Sequence, residues 1–309
     1  MIAAQNRFWS RVFLGPAALI VLAFSIFPLV YSLAMTFTNK RLARAETRFI
    51  GLENWTRLFD DERFLTTLQN TVVFVVCAIL LQYLLGSFLA VLLNQRFRGR
   101  WFFRLSFLMP MMMSPVAVSF MIGRLILHEV RGPLAIYLMN HNVPELLGQL
   151  LMTDARGRLS WTTHSTRAMI VVILIDTWQW TPFFLLVMLA GLQNIPVEIE
   201  EAARVDGANA WQRFWRITFP MLLPLSSVAV LIRGLEAFKV IDIIRVATAG
   251  GPGNATESVT LYAYDMGVKN GEIAYATTMA YALLILMGVT ATLYIAVTQR
   301  LTRWRRESS

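Results

Sequence analysis

Charge, cysteine and histidine are all scarce in this sequence, and each shortage closes off a class of function. Only 15% of the 309 residues are charged, against 56% hydrophobic, whereas a soluble domain carries about 25% charged residues. The single cysteine, Cys77, lies inside an apolar run, which rules out an internal disulfide and a cysteine-based metal site. His128, His141 and His164 have no carboxylate or cysteine at metal-ligand spacing. They read as loop residues facing water, and no metal is expected. No G-x-x-x-x-G-K-[ST] segment is present, so the loop that cradles nucleotide phosphates is absent. The acids form no triad or dyad pattern, and no enzymatic activity is expected of the chain.

What is abundant is apolar sequence in long blocks. Runs of about twenty residues almost free of charge recur, and about 20 apolar residues in a helix cross a hydrocarbon core of roughly 30 Å. The pattern predicts an all-α integral membrane protein, a single domain over residues 1–309. Its six spans are Val12–Met35, Thr71–Leu93, Phe102–Leu127, Ala168–Leu192, Phe219–Phe238 and Ala274–Val297. The first run exceeds the roughly 7–15 residues of a signal-peptide core and meets no small-residue cleavage site, so it is expected to remain as a span.

The formal charge of +9 does not point to nucleic acid, because the basic residues gather at the ends of the runs. Arg96, Arg98, Arg100 and Arg104 crowd the loop between spans two and three, and Arg300, Arg303, Arg305 and Arg306 follow span six. Basic residues concentrate on the cytoplasmic side. Both termini are therefore expected inside, in agreement with Arg7 and Arg11. Residues 193–218 then lie inside, and 39–67, 128–167 and 239–273 outside. Pro28, Pro110, Pro115 and Pro182 fall within spans, where proline removes a backbone donor. The Pro110–Pro115 pair is expected to break span three beside a cavity.

Residues 195–218 form the most informative loop. It begins Ile195-Pro196-Val197-Glu198-Ile199-Glu200-Glu201-Ala202-Ala203-Arg204-Val205-Asp206-Gly207-Ala208. Pro196 suits a first helical turn, and the glutamates suit the positive end of a helix dipole. Ala202 and Ala203 allow close approach by another surface, and Gly207 suits a left-handed stop. A second short helix from Trp211 to Ile217 leads to Pro220. The expected unit is a helix–turn–helix rigidly joined to two spans, able to pass motion from a soluble partner into the membrane.

Glu201-Ala202-Ala203-x-x-Asp206-Gly207-Ala208, with Phe214, Ile217 and Pro220, resembles the EAA motif of permease subunits in bacterial ABC importers. In that family the loop docks on an ATPase, and the resemblance assigns coupling to Glu201, Ala202, Ala203, Asp206 and Gly207. Gly51-Leu52-Glu53-Asn54-Trp55 and Gly250-Gly251-Pro252-Gly253 resemble the carbohydrate importers of the maltose, lactose and glycerol-phosphate type, and more the F-type than the G-type maltose permease. The likeness runs from about Gly15 to Thr298. It implies a second, different permease, two ATPase subunits that bind ATP and magnesium, and an external solute-binding protein near Gly250, Gly251, Pro252 and Gly253. No cofactor is implied in this chain. A bacterial inner-membrane location follows from the same resemblance.

Polar residues inside spans are costly and therefore informative. Asp176, Gln179 and Trp180 share one face of span four, and carboxylate with indole suits sugar hydroxyls and the ring's C–H face. The resemblance places Asp176, Thr177, Trp178 and Trp180 at a sugar site, with Arg233 on span five and Met111 and Ser114 at the span-three break. Glu236 is the polar neighbour expected to replace Ala237 and Val240, which cannot hydrogen-bond through their side chains. Arg233, Glu236 and Lys239, spaced by three, could instead form an internal ion-pair ladder. Thr277, Thr278 and Tyr281 on span six are weaker candidates. The expected ligand is a sugar, disaccharide or polyol, trehalose-like or an anionic derivative. An ion-coupled secondary transporter is the alternative, but it needs paired intramembrane acids and an inverted repeat, and neither is evident.

Overall fold

The computed structural model describes residues 13–16, 19–44, 46–95, 97–140 and 160–307. Arg7, Arg11, Arg96 and His141 lie outside the described residues. In chain order the helices are α1 (Phe27–Thr36, entered through a π-helical stretch at Leu22–Ile26), α2 (Glu53–Asp60), α3 (Glu62–Asn94), α4 (Arg100–Met112) and α5 (Pro115–Ser119, continued by a π stretch at Phe120–Ile126). There follow α6 (Pro133–Asn140), α7 (Ser165–Gln193), α8 (Val197–Val205), α9 (Ala210–Arg213), a π stretch at Phe214–Thr218 and α10 (Phe219–Ala237). Last come α11 (Asp242–Ala247), α12 (Val259–Tyr264) and α13 (Ile273–Glu307).

Five helical stretches, Phe13–Thr36, Glu62–Asn94, Ser165–Gln193, Ala210–Ala237 and Ile273–Arg300, are long and apolar enough to cross a membrane. A sixth is made by α4 and α5 together, bent by 99°. The second helix starts at Glu62 rather than Thr71, because its polar first turns carry no hydropathy signal. Among the described residues the β-type pairing is an isolated antiparallel bridge between Thr38 and Phe49.

The chain divides into two compact units, Met1–Phe64 with Tyr262–Ile285, and Leu65–Leu261 with Leu286–Ser309. In the first, the Gly-Leu-x-Asn-Trp segment has a structural task. Gly51 takes a φ of +60°, a region open to glycine at little cost, and so turns the chain into α2. There the Asn54 amide donates to the carbonyls of Thr36 and Thr38, both at 2.8 Å, and Trp55 Nε1 donates to Thr36 Oγ1. The two Asn54 bonds satisfy carbonyls left over at and just beyond the end of α1, and the Trp55 bond holds a side-chain hydroxyl there.

Asp61 accepts from Tyr275 at 2.6 Å and Tyr262 at 2.8 Å. Burial pushes its carboxyl up, but these hydroxyls and the N–H groups of Phe64 and Arg63 outweigh burial and hold it below the usual carboxylate range. Glu272 pairs with Arg41 and Arg57 at 2.6 and 2.7 Å.

In the second unit α7 is the most enclosed helix, with buried residues on every side from Ala168 to Gly191. Gly86 on α3 lets the two backbones meet: an added Cβ would lie 2.5 Å from Phe184 Cβ and 2.9 Å from the Leu185 nitrogen. Ala90, Met188, Leu189 and Leu222 pack together where α3, α7 and α10 converge. The bend between α4 and α5 falls at Met113–Ser114, where both residues are extended, as expected of the residue before Pro115. Extended backbone strands carbonyls that a helix would have used. Gln179 Nε2 takes up that of Met113 at 3.0 Å.

Candidate functional site

Asp176 and Trp180 lie one turn apart on α7, and Arg233 projects from α10. Arg233 Nη2 donates to Asp176 Oδ2 at 2.5 Å, and each side chain is 3% exposed. Charges withdrawn from water this far need close pairing and further hydrogen bonds. Gln82 on α3 supplies them. Its Nε2 donates to Asp176 Oδ2 at 2.7 Å and its Oε1 accepts from Arg233 Nε at 3.0 Å. The guanidinium carbon of Arg233 also lies 4.8 Å from the centre of the Trp180 ring, a cation–π contact. One network thus ties α3, α7 and α10.

Beside this network opens a cavity of about 140 Å³ lined by Asp176, Trp180, Arg233, Glu236, Lys239 and Asp242, with Pro115 at the start of α5. Glu236 and Lys239 pair at 2.8 Å. The ladder suggested by the spacing therefore exists only in its second half. Arg233 turns instead to Asp176, because a carboxylate equally removed from water binds a guanidinium more strongly than a half-exposed one.

The remaining expected residues are not gathered here. Thr177 is buried with Oγ1 unpartnered among the described residues. Trp178 is 41% exposed and does not line the cavity, because two residues of helix, about 200° of rotation, separate it from both Asp176 and Trp180. Met111 and Ser114 are exposed at the bend. Thr277, Thr278 and Tyr281 belong to the first unit.

The loop at 195–218 forms two short helices. Pro196 is the residue that precedes α8 rather than its first turn. Gly207 has a φ of +80°, and Asp206 N–H donates to Ala202 and Ala208 N–H to Ala203, both at 3.0 Å, a glycine-terminated helix end. Asn209 and Gln212 close a reciprocal capping box on α9. From there the chain runs through the π stretch directly into α10. Ala203 packs inward, while Glu201, Ala202, Asp206 and Gly207 remain exposed, open to another protein.

The Gly250–Gly253 loop is held from within. Thr256 N–H donates to Gly250 and Thr256 Oγ1 to Gly251, and Asn70 Nδ2 donates to Asn254 at 2.8 Å. Gly250 is buried with φ +90°, whereas Gly253, at φ +59°, is exposed at the tip.

The sequence matches the family described as binding-protein-dependent transport system inner membrane component over residues 82–307. The chain belongs to this family. It is a multi-pass inner membrane permease, and the matched stretch begins at Gln82 and includes Asp176, the 195–218 loop and Arg233.

Among relatives of the permease, a probable ABC transporter permease protein (y4oQ) of Sinorhizobium fredii is 35% identical over 271 residues, covering 87% of this chain and 83% of that one. The multiple sugar-binding transport system permease MsmF of Streptococcus mutans is 30% identical, covering 96% and 97%. The trehalose/maltose transport system permease MalF of Thermococcus litoralis is 32% identical, covering 81% and 80%. In fold the permease is similar to a chain of a bacterial alginate ABC transporter in complex with a periplasmic protein bound to an alginate pentasaccharide, with a TM-score of 0.80, 20% identity and 96% coverage of each chain.

Sequence reasoning about the permease missed Gln82. Its signal was present: one amide in the otherwise apolar run Thr71–Leu93 is costly unless it has partners.

Proposed function

We propose that the permease carries an uncharged sugar or polyol across the inner membrane, in a complex with a second permease, two ATPases and an external binding protein. The observation that carries this reading is the charge state of the cavity wall. Both cations, Arg233 and Lys239, are already matched by Asp176 and Glu236, and Asp242 adds a further acid. An anionic ligand meets no spare positive charge there, while hydroxyl groups meet donors, acceptors and the Trp180 ring. Relatives whose names specify sugar transport support the ligand class.

The cavity is smaller than the roughly 300–1,000 Å³ of a complete ligand pocket, which supports a site finished by the partner permease. The exposed Glu201, Ala202, Asp206 and Gly207 support docking on an ATPase, which would bind ATP and magnesium and whose closure would tilt α7 and α10. On this reading both termini and the 195–218 loop are cytoplasmic, and Gly253 faces the binding protein.

The test is uptake and ATPase stimulation by reconstituted importers carrying Asp176→Ala or Arg233→Ala. Both are expected to lose uptake of a neutral disaccharide. Wild-type uptake in both, with normal assembly, would reject the site.

A further inference from the structure

Two segments share a composition of arginine and aromatic residues to which the coupling assignment, carried by Glu201, Ala202, Ala203, Asp206 and Gly207, gives no task, although the second segment lies within the 195–218 loop. One is Phe97-Arg98-Gly99-Arg100-Trp101-Phe102-Phe103-Arg104, the other Trp211-Gln212-Arg213-Phe214-Trp215-Arg216. Each leads into a spanning element, the first into α4 and the second through the π stretch into α10. Both lie at one end of the Leu65–Leu261 unit. Arg104 Nη2 donates to the carbonyl of Leu93, near the end of α3, at 3.2 Å. Ala90 near that same end packs with Leu222 of α10.

Within each segment rings turn outward and touch their neighbours. Trp101 and Trp211 are each 71% exposed, while Phe97 meets Phe103 at 5.9 Å and Trp211 meets Trp215 at 5.4 Å between ring centres. Arg98, Arg100 and Arg216 stand in no ion pair among the described residues. Amphipathic rings settle at headgroup depth, and arginines beside them present unmatched positive charge to whatever lies there. The neighbouring α8 has the opposite character, with Glu198, Glu200 and Glu201, which an anionic surface repels.

We propose that these two segments form a collar that binds the anionic phospholipid headgroups of one leaflet, leaving the acidic α8 beside it free for a protein partner. The occupant follows from charge complementarity and from the interleaving of arginine with aromatic residues at the mouths of spans. A basic side chain near an anionic leaflet strengthens association about fivefold, and the attraction fades within a Debye length of about 8 Å at physiological salt.

The experiment uses the complete importer in nanodiscs, with brominated phosphatidylglycerol competing against brominated phosphatidylcholine and tryptophan quenching as the readout. The wild type is expected to prefer phosphatidylglycerol. R98Q/R100Q/R216Q should lower that preference at least fivefold without changing quenching by phosphatidylcholine, and R98K/R100K/R216K should keep it. No headgroup preference in the wild type, or an unchanged preference in the glutamine variant, overturns the proposal. A glutamine variant that keeps the lipid preference but no longer co-purifies with the ATPase also overturns it and assigns the surface to the protein partner. If the glutamine variant does not assemble, the lysine variant decides: loss of preference with charge retained excludes an electrostatic collar.

Discussion

Arg233→Leu strands the Asp176 carboxylate at 3% exposure, with Gln82 as its remaining side-chain partner. Removing one member of a buried pair costs about 3–5 kcal/mol, because the other charge stays out of water. Asp176→Leu strands the guanidinium and should cost about the same. Replacing both by leucine removes both charges, an exchange that is commonly neutral or stabilising by about 1–4 kcal/mol.

The offsetting cost in the double variant falls on Gln82, which keeps only a 3.4 Å bond to the Asp176 carbonyl. An unsatisfied buried amide costs about 1–3 kcal/mol. The double variant should therefore lie within about 3 kcal/mol of wild type, no more destabilised than either single variant. The cycle then shows a coupling of at least about 3 kcal/mol. Chemical unfolding in micelles, followed by tryptophan fluorescence, measures it. Uptake by the reconstituted importer should be lost in all three variants, since the paired charges and not merely their packing face the cavity. Additive single effects would show that the two charges are not coupled, and a double variant that still transports would show that they do not serve the ligand.

Three further outcomes follow from local geometry. Gly86→Ala should cost about 1–3 kcal/mol through overpacking, since its Cβ would stand 2.9 Å from the Leu185 backbone; thermal unfolding that matches wild type would contradict this. Gly207→Ala meets nothing within 4 Å, so its cost is the left-handed φ alone, about 1–2 kcal/mol at the turn. Co-purification with the ATPase should weaken while the membrane helices keep their stability, and undiminished association would remove this turn from the docking argument. Asp61 has a native pKa below its unfolded value, so its contribution is fully present above about pH 4 and is lost as pH falls through the native value. Asp61→Asn should lower stability at neutral pH by no more than about 1 kcal/mol, since the group is partly solvated, and the difference from wild type should vanish in acid.

Hydropathy located the spanning helices because apolar length is a local property, and Gly207 and Pro115 announced a turn and a break because their backbone limits are also local. The 99° bend was legible as a break but not as an angle, which depends on contacts between helices such as the bond that Gln179 Nε2 donates to the Met113 carbonyl. The Asp176–Arg233 pair was half legible. Both residues stood out as costly inside spans, yet spacing along one helix suggested Glu236 as the partner of Arg233, since no periodicity reports a contact between α7 and α10. Gln82, placed 94 residues from Asp176, was invisible to reasoning that reads one helix at a time. The Gly-Leu-x-Asn-Trp segment stood out only as a likeness, and the structure supplies its physical reason in the bonds from Asn54 and Trp55 to the end of α1.

On the proposed function this chain provides a path, and its partners supply the driving force through the 195–218 loop. The direct measurement is uptake of a neutral disaccharide into proteoliposomes holding the permease pair, with the ATPase and the binding protein added or withheld. Uptake is expected only when ATP, ATPase and binding protein are all present, and it should be lost with Glu201→Ala. Uptake driven by a sodium or proton gradient in the absence of the ATPase would contradict the proposed function.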